Sequence, residues 1–482
     1  MTFPRIKWVI PLALVVTIIT VTIFGIWDIY SITVDSLWKI LDINAGKKPL
    51  ILNQGNDNNL TIEHYASGLS FPTSMAFVDN NNIMVLEKNE GTVRLVSNGV
   101  LQKEPLLKIN TVDKEAERGL LGIEILKKDA DKGKSGLVNG TVFLSNFTTN
   151  THNYSHGGSN YFVYLYFSEK TVVDDERNLN NFTRNRIYKY SWDGSGSLKD
   201  PRLIMDLPAN IGPYHNGGKL KIGPDNQLYA VIGDLVTINN TLQNRFDGSN
   251  TTAEPNNSSV ILRIDPLNGI FSNDNPFSAY YHDNKLKSLA FYHAYGIRNS
   301  FGMDFDPVTG TLWDTENGED KFDEINIVEP GFNSGWHKVM GPIAKSNNNN
   351  LSLSDLVMFN GSHYSDPVFS WYVPVGVTDI EFFESEKLGK KYENNVFVGD
   401  INNGNLYFFE VNSTRTGFDF SKFGNNGPNQ KIHEYQVADN KTESDQHIFA
   451  RGFEGRITDI ETGPDGYLYI LTYIDGRIFR IL

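Results

Sequence analysis

The 482-residue chain contains no cysteine, which excludes disulfide frameworks, thiolate metal sites and cysteine nucleophiles. Proline is scarce, with 19 residues against 42 glycines. Basic residues are outnumbered, because 43 Lys and Arg stand against 57 Asp and Glu, and no basic block occurs. The net charge of −14 argues against nucleic-acid binding, which depends on clustered cations. Aromatic residues are abundant, and 22 Tyr and 30 Phe together with the glycines indicate β structure with tight turns.

A long apolar run lies near the N-terminus. Residues 8–27 carry no charge, and a helix of about 20 residues spans the hydrocarbon core of a bilayer. Arg5 and Lys7 precede the run and Asp28 follows it, so the positive-inside rule places the remainder of the chain outside the cell. A cleaved signal peptide is the alternative, although its apolar region is normally only about 7–15 residues long. We therefore expect an uncleaved, single-pass anchor in the cell membrane.

This interpretation divides the chain into three parts. They are a cytoplasmic stub with the anchor (1–27), a linker (28–60) and one large extracytoplasmic domain (61–482). Thirteen N-x-[ST] sequons lie between Asn59 and Asn440. This density suits an exported surface glycoprotein and agrees with the outward orientation.

Five segments repeat one pattern: an apolar strand, a turn rich in Asp, Asn and Gly, and a second strand rich in Tyr, Val and Ile. They are 74–88, 219–234, 302–318, 392–411 and 457–473. The last four turns are about 70–85 residues apart, and a sixth unit fits around GLLGIEI (119–125) and GTVFLSNF (140–147). Such spacing is typical of propellers, so about 420 residues predict an all-β fold of six four-stranded antiparallel blades. An array of β-sandwiches or a set of unrelated hairpins is the alternative.

The hairpin at 219–234 also predicts a site. His215 and Asp234 lie at nearly equal distances from its turn at Asp225, and residues equidistant from an antiparallel turn lie side by side. A carboxylate beside a histidine selects the tautomer of the ring and stabilises the imidazolium, as a general base requires. A single His–Asp pair is more often structural than catalytic, so the other hairpins decide between the two interpretations.

Two other hairpins place polar residues at the same edge. In the hairpin 302–318, Arg298 and Asn299 lie about ten residues before the turn, and Asn317 lies nearly as far after it. The last hairpin puts Arg456 at the equivalent end. Because propeller blades line a channel with these ends, the convergence favours a functional site at the channel mouth.

Several strings resemble the glucose/sorbosone dehydrogenase family. They are GLLGIEI (119–125), HNGGKLKIGPDNQLYAVIGD (215–234), ILRIDPLNG (261–269), YGIRNSFGMDFDPVTGTLW (295–313), ENGEDKFDEINIVEPGFNSGW (316–336) and GRITDIETGPDGYLYILT (455–472). The resemblance runs in order from about Thr61 to Leu482. It implies a six-bladed quinoprotein that uses pyrroloquinoline quinone (PQQ) and Ca²⁺ to oxidise aldose sugars at the anomeric carbon to the lactone. The electrons pass to an external acceptor.

The resemblance also implies residue roles. His215 matches the base that takes the proton of the anomeric hydroxyl, and Asp234 matches its orienting carboxylate. Arg298 and Asn299 match a pair at the quinone, where a guanidinium stabilises a developing oxyanion. Glu117 stands where the family usually has a glutamine near cofactor and substrate.

Further matched positions concern calcium and the cofactor's carboxylates. Gly318 and Glu319 match residues that donate backbone carbonyls to calcium, which polarises the quinone. Arg456 matches a residue that binds a carboxylate of PQQ. Two expected cations are missing, because a lysine position falls on Asn402 and an arginine position on Thr458. PQQ has three carboxylates, so these losses should weaken its retention.

Two features allow more than one interpretation. The acidic run 316–324 can bind calcium through side chains, or it can be a solvated loop. Trp371 can stack a sugar ring at the channel mouth, or it can belong to the core. Two other functions also stay open: a calcium-dependent, lactonase-like hydrolase, which needs a side-chain carboxylate metal site, and a non-catalytic sugar- or protein-binding propeller.

The charge pattern around the anchor makes a prediction about topology. Protease added to intact cells should remove the chain beyond about residue 50, because the positive charges lie only on the N-terminal side of the apolar run. Immunoblotting of shaved cells measures this, with a cytoplasmic protein as the control for lysis. Full protection of the large domain, or a mature N-terminus near residue 28, would contradict the membrane anchor.

Overall fold

The computed structural model describes eleven stretches of the chain. They are residues 50–52, 60–128, 136–138, 141–143, 160–172, 181–209, 212–236, 241–245, 254–346, 351–423 and 436–482. The expected anchor at 8–27 and most of the expected linker lie outside these residues. Within them, no helix has both the length and the apolar character needed to cross a membrane.

The described strands form six sheets, of which the first three follow one another along the chain. Two strands come first: β1 (Ile51–Leu52) and β2 (Ile62–Ser67). Blade 1 consists of β3 (Pro72–Asp79), β4 (Asn82–Glu87), β5 (Thr92–Ser97), β6 (Val100–Leu101) and β7 (Leu107–Lys108). Blade 2 consists of β8 (Leu120–Lys127), β9 (Gly136–Val138), β10 (Thr141–Phe143), β11 (Tyr161–Val172), β12 (Asn181–Trp192) and β13 (Lys199–Leu207). Blade 3 consists of β14 (Leu220–Ile222), β15 (Leu228–Ile232), β16 (Val260–Ile264) and β17 (Tyr292–Tyr295).

Each of the last three sheets includes a strand that is out of chain order. Blade 4 consists of β18 (Ser300–Phe305), β19 (Leu312–Glu316), β20 (Asp323–Val328) and β21 (Phe369–Trp371). Blade 5 begins with β22 (Val377–Phe382), β23 (Val396–Asp400) and β24 (Asn405–Phe409). The next strand, β25 (Val437–Ala438), pairs in parallel with β21, and β26 (Ile448–Arg451) then completes blade 5. Blade 6 consists of β27 (Ile457–Thr462), β28 (Leu468–Thr472), β29 (Arg477–Ile481) and the early strand β2.

Helices are short in the described part of the chain. The two α-helices are α1 (Leu242–Arg245) and α2 (Lys441–Ser444). The 3₁₀ turns are Ser278–His282, Lys287–Phe291, Leu353–Asp355, Ser421–Phe423 and Asp445–His447.

The blades close into a ring. The innermost strands β3, β8, β14, β18, β22 and β27 contact one another in this order, and β27 returns to contact β3. Antiparallel pairing of β2 with β29 closes the last blade with a strand from the other end of the domain. The predicted six-bladed propeller with four-stranded antiparallel blades is therefore confirmed.

Two local expectations differ from the structure. The expected sixth unit around 119–125 and 140–147 contains β8 and β10, but the antiparallel partner of β8 is β11, and β10 meets β8 in parallel at one residue pair. The long β11 offers apolar side chains to both faces of its sheet, which a central strand of a blade requires. The other difference is β1, which lies in the expected linker and pairs with β26 at the outer edge of blade 5.

The apolar core lies between neighbouring blades, as strand alternation dictates. In β15, Leu228, Ala230 and Ile232 belong to the cluster shared with blade 2. Tyr229 and Val231, on the other face, belong to the cluster shared with blade 4. Each strand therefore packs on both sides, which explains why all five residues of β15 are apolar and buried.

The same alternation brings charge to the propeller axis. Leu220 packs in the core, whereas Lys219 points into the channel, where its Nζ lies 2.8 Å from Asp379 and 2.7 Å from Asp459. One layer below, Lys221 lies 2.8 Å from Asp304. Burial alone would lower the pKa of Lys219, but the neighbouring carboxylates outweigh it and hold the pKa well above its usual range. The channel is therefore closed by a buried ion network that links four blades.

Removal of the central cation should destabilise the propeller. Lys219→Met leaves Asp379 and Asp459 buried without their shared ammonium, which costs about 3–5 kcal/mol of the free energy of unfolding. Burial already raises the pKa of Asp459, and a protonated carboxyl is cheaper to bury, so the loss should be larger at pH 8 than at pH 5.

Urea denaturation at the two pH values measures this loss. Lys199→Met is the matched control, because Lys199 pairs with Asp193 at 3.3 Å on the surface and such pairs contribute about 0–1 kcal/mol. Equal losses in the two variants would contradict a structural role for the channel network.

Candidate functional site

The strand ends on one side of the ring bring the expected His–Asp pair together. His215 Nδ1 lies 2.6 Å from Asp234 Oδ1. His215 precedes β14 and Asp234 follows β15, so both residues lie at the end of this hairpin that is opposite its turn. The His215 side chain is 14% exposed and that of Asp234 only 2%, so a ligand can reach the ring but not the carboxylate.

Asp234 is surrounded by hydrogen-bond donors. Its Oδ1 also accepts the backbone N–H of Val236 at 2.8 Å, and its Oδ2 accepts the indole N–H of Trp336 at 2.7 Å. A carboxylate surrounded by donors accepts from the ring as well, so His215 Nδ1 carries its proton and Nε2 is left as an acceptor. The arrangement can thus present a neutral imidazole base to a ligand.

The backbone around His215 is under local constraint. His215 has a φ of 58°, in the left-handed region, and its N–H donates to Glu117 Oε2 at 2.6 Å. A Cβ on Gly233 would lie 2.6 Å from the carbonyl oxygen of His215 and 2.7 Å from that of Arg298. Glycine is therefore required at 233 for the two blades to approach this closely.

Arg298 lies beside this pair on blade 4. Its carbonyl accepts the N–H of Asp234 at 2.8 Å, its Nη1 donates to the carbonyl of Asn317 at 2.8 Å, and its guanidinium lies 5.4 Å from the centroid of Trp336. Burial lowers the pKa of Arg298, although Asp234 counteracts this effect. Its Nε is buried without a hydrogen-bond partner in the described part of the chain, and so is Asn317 Oδ1. The site therefore holds a donor and an acceptor that a ligand can satisfy.

Two more expected residues complete this face. Asn299 Oδ1 accepts the N–H of Gly217 at 3.3 Å, which ties blade 4 to the loop that follows His215. Burial raises the pKa of Glu117, and the charges of His215 and Arg298 lower it in part, so this carboxyl lies close to both. The structure places His215, Asp234, Arg298 and Asn299 close together on neighbouring blades.

Hydrogen bonds to Asp323 hold the loop that contains Gly318 and Glu319. Asp323 accepts the N–H of Gly318 at 2.9 Å through Oδ1, and its Oδ2 accepts N–H groups from the 375–377 segment, the closest at 2.6 Å. No backbone N–H of the described residues donates to the carbonyl oxygens of Gly318 or Glu319. Neither carbonyl is therefore committed to a backbone hydrogen bond within the described residues.

Neither interpretation of the acidic run holds for all of its residues. Glu316 accepts the N–H of Arg298 at 2.9 Å and the hydroxyl of Ser334 at 2.5 Å, and Glu324 accepts the N–H of Gly341. Glu316, Asp323 and Glu324 are buried, whereas Glu319 and Asp320 are exposed, so only the middle of the run is a solvated loop. Glu316 and Glu324 both accept from Asn326 Nδ2, at 3.2 and 3.4 Å, whereas Asp323 accepts backbone N–H groups, so protein donors bind all three carboxylates. In the described residues, the three-carboxylate cluster with metal-ligand spacing is the one at Asp379, Asp459 and Glu461, whose cation is Lys219.

The remaining residues that the sequence predicted for the site differ in their location and exposure. Arg456 lies in the turn before β27, and its carbonyl accepts the N–H of Tyr473 at 2.9 Å. Asn402 is exposed after β23, and its N–H donates to Val375 at 3.3 Å. Trp371 is fully buried and packs on Phe369 at a centroid distance of 4.7 Å, so it is a core residue without access to a sugar.

A cavity of about 220 Å³ lies on the axis above the ion network. The inner strands line it, and its wall includes Glu117, Gly217, Thr378 and Thr458, with Lys219 and Asp459 as part of the lining. Sequence reasoning missed Trp336 and Lys88, the second of which also lines this cavity. The GFNSGW string was the available signal for Trp336, whereas local pattern carried no signal for Lys88.

The channel mouth of this six-bladed propeller thus combines a His–Asp pair with an arginine that lies over an indole ring. Comparison with known proteins identifies the family of this chain. Residues 69–480 match the family described as Glucose / Sorbosone dehydrogenase, and the chain belongs to this family.

Individual relatives agree with this assignment. The chain is 24% identical over 414 residues to the aldose sugar dehydrogenase YliI of Escherichia coli K12, covering 86% of this chain and 90% of the relative. It is 26% identical over 287 residues to quinoprotein glucose dehydrogenase B of Acinetobacter calcoaceticus, covering 57% and 52%.

Solved structures show the same fold. The apo form of the Escherichia coli soluble aldose sugar dehydrogenase matches with a TM-score of 0.60 and 21% identity, over 88% of this chain and 99% of the other. The PQQ-bound form of the Streptomyces coelicolor aldose sugar dehydrogenase matches with a TM-score of 0.56 and 21% identity, over 88% and 98%.

The bond from Trp336 to Asp234 should be measurable as stability. Trp336→Phe keeps an aromatic ring but leaves a buried carboxylate without one donor, which costs about 1.5–3 kcal/mol beyond the loss of volume. Trp313→Phe is the matched control, because Trp313 is fully buried and its Nε1 has no hydrogen-bond partner among the described residues. Urea denaturation compares the two variants, and equal losses would show that the indole N–H does not hold Asp234.

Proposed function

We propose that this protein oxidises an aldose sugar at the anomeric carbon to the lactone, with PQQ as cofactor and an external electron acceptor. The observation that carries the proposal is the His215–Asp234 pair, with its 2.6 Å bond, beside the stacked guanidinium of Arg298. Membership of the glucose/sorbosone dehydrogenase family supports it, as do relatives named aldose sugar dehydrogenase and quinoprotein glucose dehydrogenase.

The residues present can perform the proton transfer that this reaction needs. His215 Nε2, left unprotonated by the Nδ1–Asp234 bond, accepts the proton of the anomeric hydroxyl. Asp234 then stabilises the imidazolium that forms, and its bonds to Val236 and Trp336 keep it from turning away. Glu117, which binds the backbone of His215, is placed to accept a hydrogen bond from a second sugar hydroxyl.

The site also fits the cofactor. When bound, PQQ supplies the quinone carbon that accepts a hydride from the sugar. Arg298 has a buried Nε without a partner in the described residues and can donate it to a quinone oxygen, while Asn317 Oδ1 and Asn299 lie beside it. Arg456 would bind a carboxylate of the cofactor.

Calcium has a place in this proposal at the 318–319 loop. The carbonyl oxygens of Gly318 and Glu319 are hard oxygen ligands of the kind that Ca²⁺ prefers, and Asp323 fixes the loop that carries them. A Ca²⁺ ion held there would act as a Lewis acid toward the quinone.

The cellular setting is part of the same proposal. A single-pass anchor at 8–27 would hold the propeller, as a glycosylated domain, on the outer face of the cell membrane. The sugar and the electron acceptor would then reach the site from outside the cell.

A second candidate is a non-catalytic sugar-binding propeller, which Asn402 and Thr458 favour because neither can neutralise a carboxylate of PQQ. The hydrolase alternative has less support. The side-chain metal site that it needs does not assemble at 316–324, where the buried carboxylates bond to the protein instead.

Dye reduction by reconstituted protein tests the proposed chemistry. With PQQ and Ca²⁺ bound, the wild type should reduce a redox dye when an aldose is added. His215→Gln should retain the cofactor and lose about 10²–10⁴-fold in rate, because glutamine cannot act as a base near neutrality. His282→Gln, an exposed histidine on a surface 3₁₀ turn, is the control.

Each result has a distinct meaning. Comparable turnover of wild type and His215→Gln, both shown by absorbance to hold PQQ, excludes His215 as the base. A wild type that never binds PQQ favours the binding function. Unchanged turnover after exhaustive chelation contradicts the role of calcium.

A further inference from the structure

The segment between β7 and β8 connects blade 1 with blade 2 and brings Glu117 to the proposed base. Glu117 Oε2 accepts the backbone N–H of His215 at 2.6 Å. His215 has a φ of 58°, and a residue with a Cβ keeps such a left-handed conformation only where other contacts hold it. The position of the His215 ring therefore depends on where this segment holds the Glu117 carboxylate.

Lys88 holds the residue that precedes Glu117. Lys88 follows β4, is 5% exposed, and its Nζ donates to the carbonyl of Ala116 at 2.6 Å. No backbone N–H of the described residues donates to this carbonyl. Ala116 has a φ of 48°, so its conformation also needs support from outside the segment. The ammonium of Lys88 supplies this support.

The rest of Lys88 packs on the same segment. The N–H of Leu120, the first residue of β8, donates to the Lys88 carbonyl at 3.1 Å. A Cβ on Gly119 would lie 2.3 Å from Lys88 Cγ, so this glycine lets the segment lie directly on the lysine stem. Lys88 therefore contacts the segment on both sides of Glu117, through its ammonium before it and through its stem and carbonyl after it.

The charges around Glu117 favour its ionised form. Burial raises the pKa of the Glu117 carboxyl, and the charges of a protonated His215 and of Arg298 counteract this effect. The charge of Lys88 acts in the same direction. A hydrogen bond to an ionised acceptor is shorter and stronger than a neutral one, which suits the bond from the His215 N–H. Lys88 thus supports Glu117 through its charge as well as through the backbone.

We propose that Lys88 is a positioning residue for the proposed base. It holds the segment that carries Glu117, and Glu117 in turn holds the backbone of His215, whose ring meets Asp234. The proposal rests on the proposed function. Lys88 also lines the axial cavity, so direct contact with a bound ligand is the competing role, and that role would change binding rather than rate.

The separation of kcat from binding distinguishes the two roles. Lys88→Met keeps the stem but removes the donor to Ala116, so kcat should fall about 10–100-fold, as expected for a base displaced by about 1 Å. The KM for the aldose should stay at its wild-type value, and so should the Kd for PQQ, measured by equilibrium dialysis with Ca²⁺. Lys88→Arg should recover most of the rate, because a guanidinium can donate to the same carbonyl.

Lys189→Met is the matched control, because Lys189 is also buried and donates to a backbone carbonyl, that of Leu267 at 2.9 Å, but is not part of the cavity wall. Its kcat should equal that of the wild type. An unchanged kcat in Lys88→Met overturns the proposal. Weaker binding of PQQ or of the aldose in that case would assign Lys88 to ligand contact instead.

Amide hydrogen exchange reports on the positioning without turnover, in the full-length protein without cofactor. Mass spectrometry of the peptide that contains His215 should show faster exchange in Lys88→Met than in the wild type, because the bond to Glu117 opens more often. Glu117→Leu has no acceptor and should show the same acceleration. Glu117→Gln retains an amide oxygen as acceptor and should exchange close to the wild type. Peptides from β23 and β24 on blade 5 should be unchanged in every variant.

The exchange results also separate a local role from a general one. Unchanged exchange at His215 in Lys88→Met and Glu117→Leu overturns the positioning role. Faster exchange along the whole chain in Lys88→Met overturns it as well, because Lys88 would then support the fold in general. If Lys88→Met does not fold, Glu117→Leu tests the same contacts, and an unchanged kcat or unchanged exchange at His215 contradicts the proposal.

Failure of the proposed function gives a different result from failure of this proposal. A wild type that binds no PQQ overturns the proposed function, and the exchange experiment then still decides whether Lys88 positions His215. A wild type that binds PQQ and turns over, with Lys88→Met equal to it in kcat, overturns only the role of Lys88.

Discussion

The pairing of β2 with β29 is the constraint on which the rest of the structure depends. It joins the two ends of the propeller, with the N–H of Thr61 bonded to the carbonyl of Leu482 at 2.8 Å. Only a closed ring brings blade 6 against blade 1, where Met75 N–H donates to Asp459 at 2.6 Å. Since Asp459 in turn holds Lys219 of blade 3, the closure reaches the axis and fixes the floor of the cavity.

Strand alternation then gives neighbouring residues of an inner strand different surroundings. One residue packs between blades, and its neighbour in an inner strand points to the axis, as Leu220 and Lys219 do. A charged axis is tolerated because each lysine meets carboxylates from other blades, which offsets the cost of burial. Burial raises the pKa of Glu124, in the lower layer, to about 8, and the charge of Lys221 offsets only part of this effect. The buried ion network thus fills the propeller axis, and the cavity lies above this network.

At the upper mouth, the polar groups of different blades orient one another. Trp336 donates to Asp234 and lies under Arg298, so a single indole positions both the orienting carboxylate and the guanidinium. The carbonyl oxygens of His215 and Arg298 both lie against Gly233, at positions that a side chain at residue 233 would block. The geometry of the base is therefore set by the blade interface rather than by its own hairpin alone. This dependence makes the site a property of the assembled ring.

The sequence by itself determined the propeller, the blade number and the meeting of His215 with Asp234, because hairpin register and strand period are local. Tertiary structure alone decided that Trp371 is a core residue, that Glu316 and Glu324 are buried and bound by protein donors, and that Lys88 and Glu117 line one cavity. These facts depend on which blades become neighbours and how closely they pack. Contacts between segments hundreds of residues apart leave no periodic trace in the chain, whereas contacts across one turn do.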